Sequence, residues 1–373
     1  MQIQEPVVFQ LLKTASDHVF GHATLNVPGA LNALSIEMVD RLDPQLRAWA
    51  EDPRIVGVIL DAAGDKAFCA GGDVVSLHRA ICAALPGQVP VDAAAFFERE
   101  YRLDYLIHTY PKPVLCWGHG IVMGGGIGLM AGASHRVATQ GTRLAMPEIS
   151  LGLYPDVGGS WFLPRAPGKL GMFLALTGAP LNAADACFAG LADFVLDAGA
   201  LPAVIEALSG EHWQGQYDAD AARLSHVLDG HTVADTPAAK VAGALGRIDE
   251  IVGHDDLLNV AKRLKALEGD ADPWLALSAR AFAKGSPTSA GLSFLMQKRA
   301  RHLSLADVFR LEYQASVGCC VHEDFAEGVR ALLIDKDKRP IWRPDSLECV
   351  TQAHLDSLLR PRFDGPHPLS DLA

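Results

Sequence analysis

A chain of 373 residues can hold one large domain or a main domain with a helical appendage. Its 49% apolar and 20% charged residues fit an ordinary globular protein and exclude a disordered one. With 32 Lys and Arg against 44 Asp and Glu the formal charge is −12, which repels phosphate backbones and argues against nucleic-acid binding.

In chain order, VFGHATLNV reads as a strand, Ser35–Ala50 as a helix, IVGVILDA as a strand and KAFCAGGD as a glycine turn entering a helix. A helix near Glu98–Thr109, the strand KPVLCWGHGIV and the glycine run MGGGIGLM follow. Strands separated by helices point to an α/β domain. After about Asp193 the strand signals fade and helical patterns run through Glu268, with further helices to Trp342. The expected partition is a core over 1–205, a helical extension over 206–280, a helical region over 281–350 and a tail over 351–373, whose Pro-rich last residues, 360–373, are expected to be loosely held. No apolar run approaches the roughly 20 residues of a membrane helix. The N-terminus lacks a signal or transit pattern, so a cytoplasmic protein with no membrane partner is expected. Seven cysteines without a CxxC read as reduced thiols, and no metal-ligand spacing occurs.

The run Gly124-Gly125-Gly126 sits where a strand turns into a helix, so free N–H groups and the positive end of the helix dipole are available to an anion. A phosphate loop fails for want of a following Lys-Ser/Thr. A dinucleotide fingerprint is met formally by Gly126, Gly128 and Ala131, with Glu148 twenty residues beyond Gly128, but that acid does not end a strand pattern. An oxyanion site needs a second backbone donor, and the turn Ala70-Gly71-Gly72-Asp73 offers one. Downstream, Glu148 and Asp156 each follow a proline, which places both on shaped loops. Two acids in different surroundings can divide proton-transfer or nucleophilic roles. The glycine turns and the acid pair together favour the oxyanion reading.

The ordered series LNVPGALNALS, KAFCAGGD, HGIVMGGGIGL and PEISLGLYPDVGG resembles the crotonase, or enoyl-CoA hydratase/isomerase, superfamily over about residues 5–345. The resemblance implies an α/β fold, a crotonase-like spiral of ββα units with a helical C-terminal region. It further implies an acyl-CoA ligand, no cofactor beyond the CoA of the substrate, and homo-oligomers. By motif position the N–H groups of Gly72 and Gly125 form the oxyanion hole, and Glu148 is the glutamate shared by hydratases and thioester hydrolases of the family. The second hydratase glutamate falls at Gly128, which argues against water addition. Asp156, usually glycine in hydratases, matches the acid of the hydrolase pattern, and Glu100 matches an acid of its substrate pocket. The implied activity is hydrolysis of a short 3-hydroxyacyl-CoA. Glu148 would attack the thioester carbonyl or activate water, Asp156 would act on the water, and Glu100, Gly125, Glu148 and Asp156 would contact substrate. An isomerase, hydratase or dehalogenase, or a non-catalytic binding protein of the same fold, stays open. Val27 and Gly29 replace basic residues of the family's CoA loop, so Lys66 or the Lys336–Arg339 run is expected to meet the CoA phosphates.

Overall fold

The computed structural model describes residues 5–254 and 256–373. It divides into two compact units, one of 1–72, 103–144 and 181–241, the other of 73–102, 145–180 and 242–373. Each unit draws on three separated stretches, unlike the linear segments 1–205, 206–280, 281–350 and 351–373.

The first unit is built on a six-stranded sheet in the order β1-β2-β3-β5-β7-β9. Its strands are β1 (Val7–Lys13), β2 (Val19–Leu25), β3 (Ile55–Ala62), β5 (Val114–Gly118), β7 (His135–Thr139) and β9 (Phe194–Leu196). β1 and β2 pair antiparallel, and every later pair is parallel. The half-exposed edge strand β1 escapes sequence reading because VVFQLLK does not alternate cleanly. β3 and β5 are buried at every residue, as parallel strands covered on both faces must be. Phe20, Ile59, Trp117, Val137, Trp213 and Leu228 are central to the core beside this sheet. A second, three-stranded sheet orders β4 (Ala67–Cys69), β6 (Ile121–Met123) and β8 (Arg143–Ala145). Helix α1 (Ile36–Glu51) starts where expected because the Ser35 hydroxyl accepts from the Met38 N–H at 3.3 Å.

The second unit is mainly helical. It contains α2 (Val74–Ala83), the part of α3 (Val91–His108) up to Arg102, and the helices Pro273–Lys284, Pro287–Arg299, Leu305–Val321, Glu323–Val329 and Gln352–Leu358. α3 begins at Val91 and not near Glu98, because Pro90 ends the preceding loop and three alanines (93–95) favour helix. The C-terminal tail is not loosely held. Leu355, Leu358, Leu359 and Leu369 are buried, the Arg102 guanidinium grips the Asp371 carboxylate at 2.8 and 2.9 Å, and Arg310 Nε donates to the Leu369 carbonyl at 3.0 Å. Proline content suggested looseness, but four leucines with an apolar surface to cover outweigh it. Among the described residues no helix is long and apolar enough to cross a membrane.

Candidate functional site

The second unit holds all three acids expected at the site. After β8, Pro147 leads into a 3₁₀ turn, Glu148–Ser150, closed by the Ser150 N–H on the Pro147 carbonyl at 2.9 Å and the Leu151 N–H on the Glu148 carbonyl at 2.8 Å. Glu148 therefore opens a tight turn and ends no strand, which removes the ribose-binding position a dinucleotide site requires. The chain then reverses at Gly152, whose φ of +78° and close approach to the Asp324 carbonyl leave no room for a side chain.

Asp156 lies in the next turn. Val157 beside it has φ +50°, an unfavourable conformation for a β-branched residue, and Gly158 has φ +86°. Such strain costs of order 1–3 kcal/mol and persists only where neighbours hold it. The holder is Glu312 on the Leu305–Val321 helix, a fully buried carboxylate that accepts the Gly158 N–H at 2.8 Å and the Ser160 N–H at 2.9 Å. The Asp156 carboxylate is held separately, by the Tyr101 hydroxyl on its Oδ2 at 2.6 Å.

Glu148 is 3% exposed, Asp156 4% and Glu100 2%, so all three carboxyls are cut off from water. Burial pushes the Glu148 and Glu100 carboxyls well above their usual range, and the Asp156 charge pushes both further. Asp156 rises only to about 6, because burial is opposed by the hydrogen bonds from Tyr101 and from its own backbone. Burial raises all three carboxyls, and a side-chain hydrogen bond checks the rise at Asp156, so the acids sit in different surroundings, which is how neighbouring carboxyls come to take different roles. Glu148 Oε2 is buried with no hydrogen-bond partner among the described residues. A buried oxygen left unpaired costs about 1–3 kcal/mol, and functional sites are where that cost is tolerated.

The first unit holds the glycines. β4 and β6 pair in parallel, so the turns that follow them lie side by side. Gly71, at φ +113°, would place a Cβ 3.4 Å from the Met123 carbonyl. Gly72 bridges Leu34, with the Leu34 N–H on the Gly71 carbonyl at 2.8 Å. Helix α4 (Gly125–Ala131) starts on Gly124 at φ +48°, and a helix provides no internal acceptor for its first N–H groups, here those of Gly125 and Gly126. A Cβ on Gly126 would collide with the Cys69 carbonyl. The two glycine turns singled out in the sequence are therefore packed together. We expect Gly126→Ala to push them apart and to cost about 2–4 kcal/mol in a urea melt; a melt within 0.5 kcal/mol of the parent, on the usual error for such data, would contradict this packing. Lys66 is exposed just before β4, and its carbonyl accepts the Ile121 N–H at 3.0 Å. The Lys336–Arg339 run is exposed in the second unit.

Sequence reasoning missed Tyr101, Tyr154, Glu312 and Ser316. One signal was available: Glu312 and Ser316 stand four apart on a helix whose same face carries Val308 and Cys319, all buried. A polar pair on an apolar helical stripe needs polar partners elsewhere.

An enoyl-CoA hydratase/isomerase family model matches residues 20–359. Among relatives, the chain is 39% identical over 357 residues to the mitochondrial 3-hydroxyisobutyryl-CoA hydrolase of Gallus gallus, covering 91% of this chain and 86% of that one. It is 37% identical over 338 residues to the Homo sapiens protein of the same name, covering 90% and 85%. Among solved structures, a carnitinyl-CoA dehydratase from Mycobacterium thermoresistibile superposes with a TM-score of 0.85 at 35% identity, covering 99% of this chain and all of that one. An enoyl-CoA hydratase from Rhodobacter sphaeroides gives 0.81 at 33% identity, covering 95% and 97%. The cytoplasmic expectation is overturned by the relatives, which are named as mitochondrial enzymes; the lack of a leader-like pattern at the N-terminus does not decide a compartment. The extent of these matches and the α/β architecture with its adjoining glycine turns establish that the chain belongs to the enoyl-CoA hydratase/isomerase family.

Proposed function

We propose that the protein hydrolyses a short 3-hydroxyacyl-CoA thioester to the hydroxy acid and free CoA. Its proposed substrate is 3-hydroxyisobutyryl-CoA, an acyl group of valine degradation, and the names of its relatives support this reading. The observation that carries it is the buried acid group, in which Asp156 is held by a phenol and Glu148 keeps an unpaired oxygen. In the proposed reaction the Gly72 and Gly125 N–H groups stabilise the oxyanion, an effect of about 10²–10³ in rate per donor. Glu148 attacks the thioester carbonyl as the carboxylate, and the C–S bond breaks to leave a mixed anhydride while the proton Glu148 held passes to the departing sulfur, which leaves as CoA thiol. Water then adds as Asp156 accepts its proton, and collapse returns the Glu148 carboxylate and the free acid. Glu100, whose carboxyl burial and the Asp156 charge push up, hydrogen-bonds the 3-hydroxyl of the acyl group. Lys66 meets the CoA phosphates. Gly128, whose N–H closes onto the Gly124 carbonyl at 3.1 Å, brings no second carboxyl for water addition, although the solved relatives are a hydratase and a dehydratase.

A thiol-release screen over short acyl-CoAs tests this reading. We expect release with 3-hydroxyacyl thioesters and a loss on the order of 10²-fold or more for analogues without the hydroxyl. Interconversion of enoyl- and 3-hydroxyacyl-CoA with no free thiol would replace the hydrolase reading with the hydratase one.

A further inference from the structure

We infer that Tyr101 is a positioning residue of the proposed hydrolysis, its phenol locked by Ser316 so that it aims one hydrogen bond at Asp156. The inference rests on the functional reading for its kinetic meaning but on geometry alone for its physical content.

Proton bookkeeping sets the direction of each bond. An ionised carboxylate only accepts, so the Tyr101 hydroxyl spends its single proton on Asp156 Oδ2, 2.6 Å away. The Tyr101 oxygen is also 2.6 Å from Ser316 Oγ, and with its own proton spent it accepts there, so Ser316 donates. Tyr154 gives its proton to the Glu312 main-chain carbonyl at 2.7 Å, and its oxygen lies 3.0 Å from Ser316 Oγ. The relay therefore runs from Ser316 to Tyr101 to Asp156, all fully or nearly buried. In a low-dielectric interior such a chain polarises toward the charged acceptor. The Tyr101 ring is fixed as well, at 5.7 Å from the Phe97 ring and 5.8 Å from the Phe309 ring, centroid to centroid.

The titratable groups that face Asp156 are all pushed up by its charge. Glu148 and Tyr154 lie on its own segment, Glu100 on α3, and Glu312, Cys319 and Cys320 on the Leu305–Val321 helix, and each bears a negative charge when ionised. Beyond burial, the Asp156 carboxyl is acted on by the Tyr101 hydroxyl and a backbone N–H, both of which favour its charged form. The phenol is thus the side-chain donor that favours the charged form of Asp156.

Tyr101→Phe removes one oxygen and keeps the ring. A charge-assisted hydrogen bond of ordinary strength sets an equilibrium of about tenfold to a hundredfold. We therefore expect the Asp156 carboxyl, followed by carbon NMR with Asp156→Asn as the assignment control, to titrate about one pH unit higher or more in Tyr101→Phe. Ser316→Ala should move it the same way by less. Tyr110→Phe, which removes a hydroxyl bonded to the Leu46 carbonyl at 2.6 Å, should not move it. In thiol-release assays the acid limb of kcat/KM should follow the NMR titration, with kcat falling about tenfold near pH 6 and KM little changed. An Asp156 titration within 0.3 pH units of the parent in both Tyr101→Phe and Ser316→Ala, well inside that one-unit expectation, overturns the inference whether or not the protein is a hydrolase. Absence of thiol release from the parent enzyme would remove the functional reading and leave the titration to decide the positioning claim. If Tyr101→Phe does not fold, Ser316→Ala carries both readouts.

Discussion

Glu148→Gln is expected to lower kcat for thiol release by about 10³-fold or more while binding of a non-hydrolysable thioester analogue stays within about threefold. The side chain is buried, with Oε2 bonded to nothing among the described residues, so the amide replaces the carboxyl with little change in shape. Affinity that comes from the rest of the acyl-CoA survives because the substitution touches one reacting atom. Turnover does not survive, since an amide can neither displace CoA nor accept a proton from water. Stability should hold or rise slightly, because burial and the Asp156 charge already disfavour the charged form of Glu148. Calorimetric titration with the analogue and a thiol-release assay separate the two effects. A kcat within tenfold of the parent would remove Glu148 from the chemistry. A single turnover in ¹⁸O-water bears on its two proposed roles: label in the Glu148 carboxyl marks the anhydride route with water adding at the Glu148 carbon.

What the sequence reveals and what it hides divide by range. The glycine turns at 71–72 and 124–126, the proline-led acids and the Ser35 cap are local, and local chemistry suffices to place them. Helix α3 was legible but its start was not, since three alanines carry propensity without periodicity. The groups that hold Asp156 come from far away in the chain. Tyr101 is 55 residues from it, Ser316 is 215 residues from Tyr101, and Glu312 is 154 residues from the Gly158 N–H it accepts. No period or motif encodes such pairings; a buried polar pair on an apolar helix only announces that partners exist. The strain at Val157 is equally silent, because valine gives no warning of a positive φ. The tail misled for the opposite reason, with prolines outweighing four leucines in the reading but not in the packing.

Asp156→Asn should abolish hydrolysis yet stabilise the fold at neutral pH. The Asp156 carboxyl is raised from its ordinary 3.8 to about 6, with burial the main cause. Between those values the folded state holds a proton that the unfolded state has released, so stability falls as pH rises from about 4 through 6. Above 6 the full cost is present, about 3 kcal/mol by the shift and less once the backbone relaxes. Asparagine does not titrate and carries no such cost, and its carbonyl can still accept from Tyr101. Its amide, however, gains no partner where the backbone N–H of Asp156 favoured a carboxylate, which offsets part of the gain. We therefore expect the variant to exceed the parent by about 1–2 kcal/mol in urea melts at pH 8 and to match or trail it at pH 4. Removing the Asp156 charge should also let Glu148 and Glu100 ionise at lower pH, since that charge raises both. The variant would then keep a competent carboxylate at Glu148 but lose the acceptor for the water proton. Single-turnover assays should show a burst of free CoA of about one equivalent followed by no steady turnover, with the acyl group left on the enzyme. Steady turnover at more than about a tenth of the parent rate would show that another group activates the water. A variant less stable than the parent at pH 8 would show that the Asp156 charge is compensated in the fold and not a cost retained for the reaction.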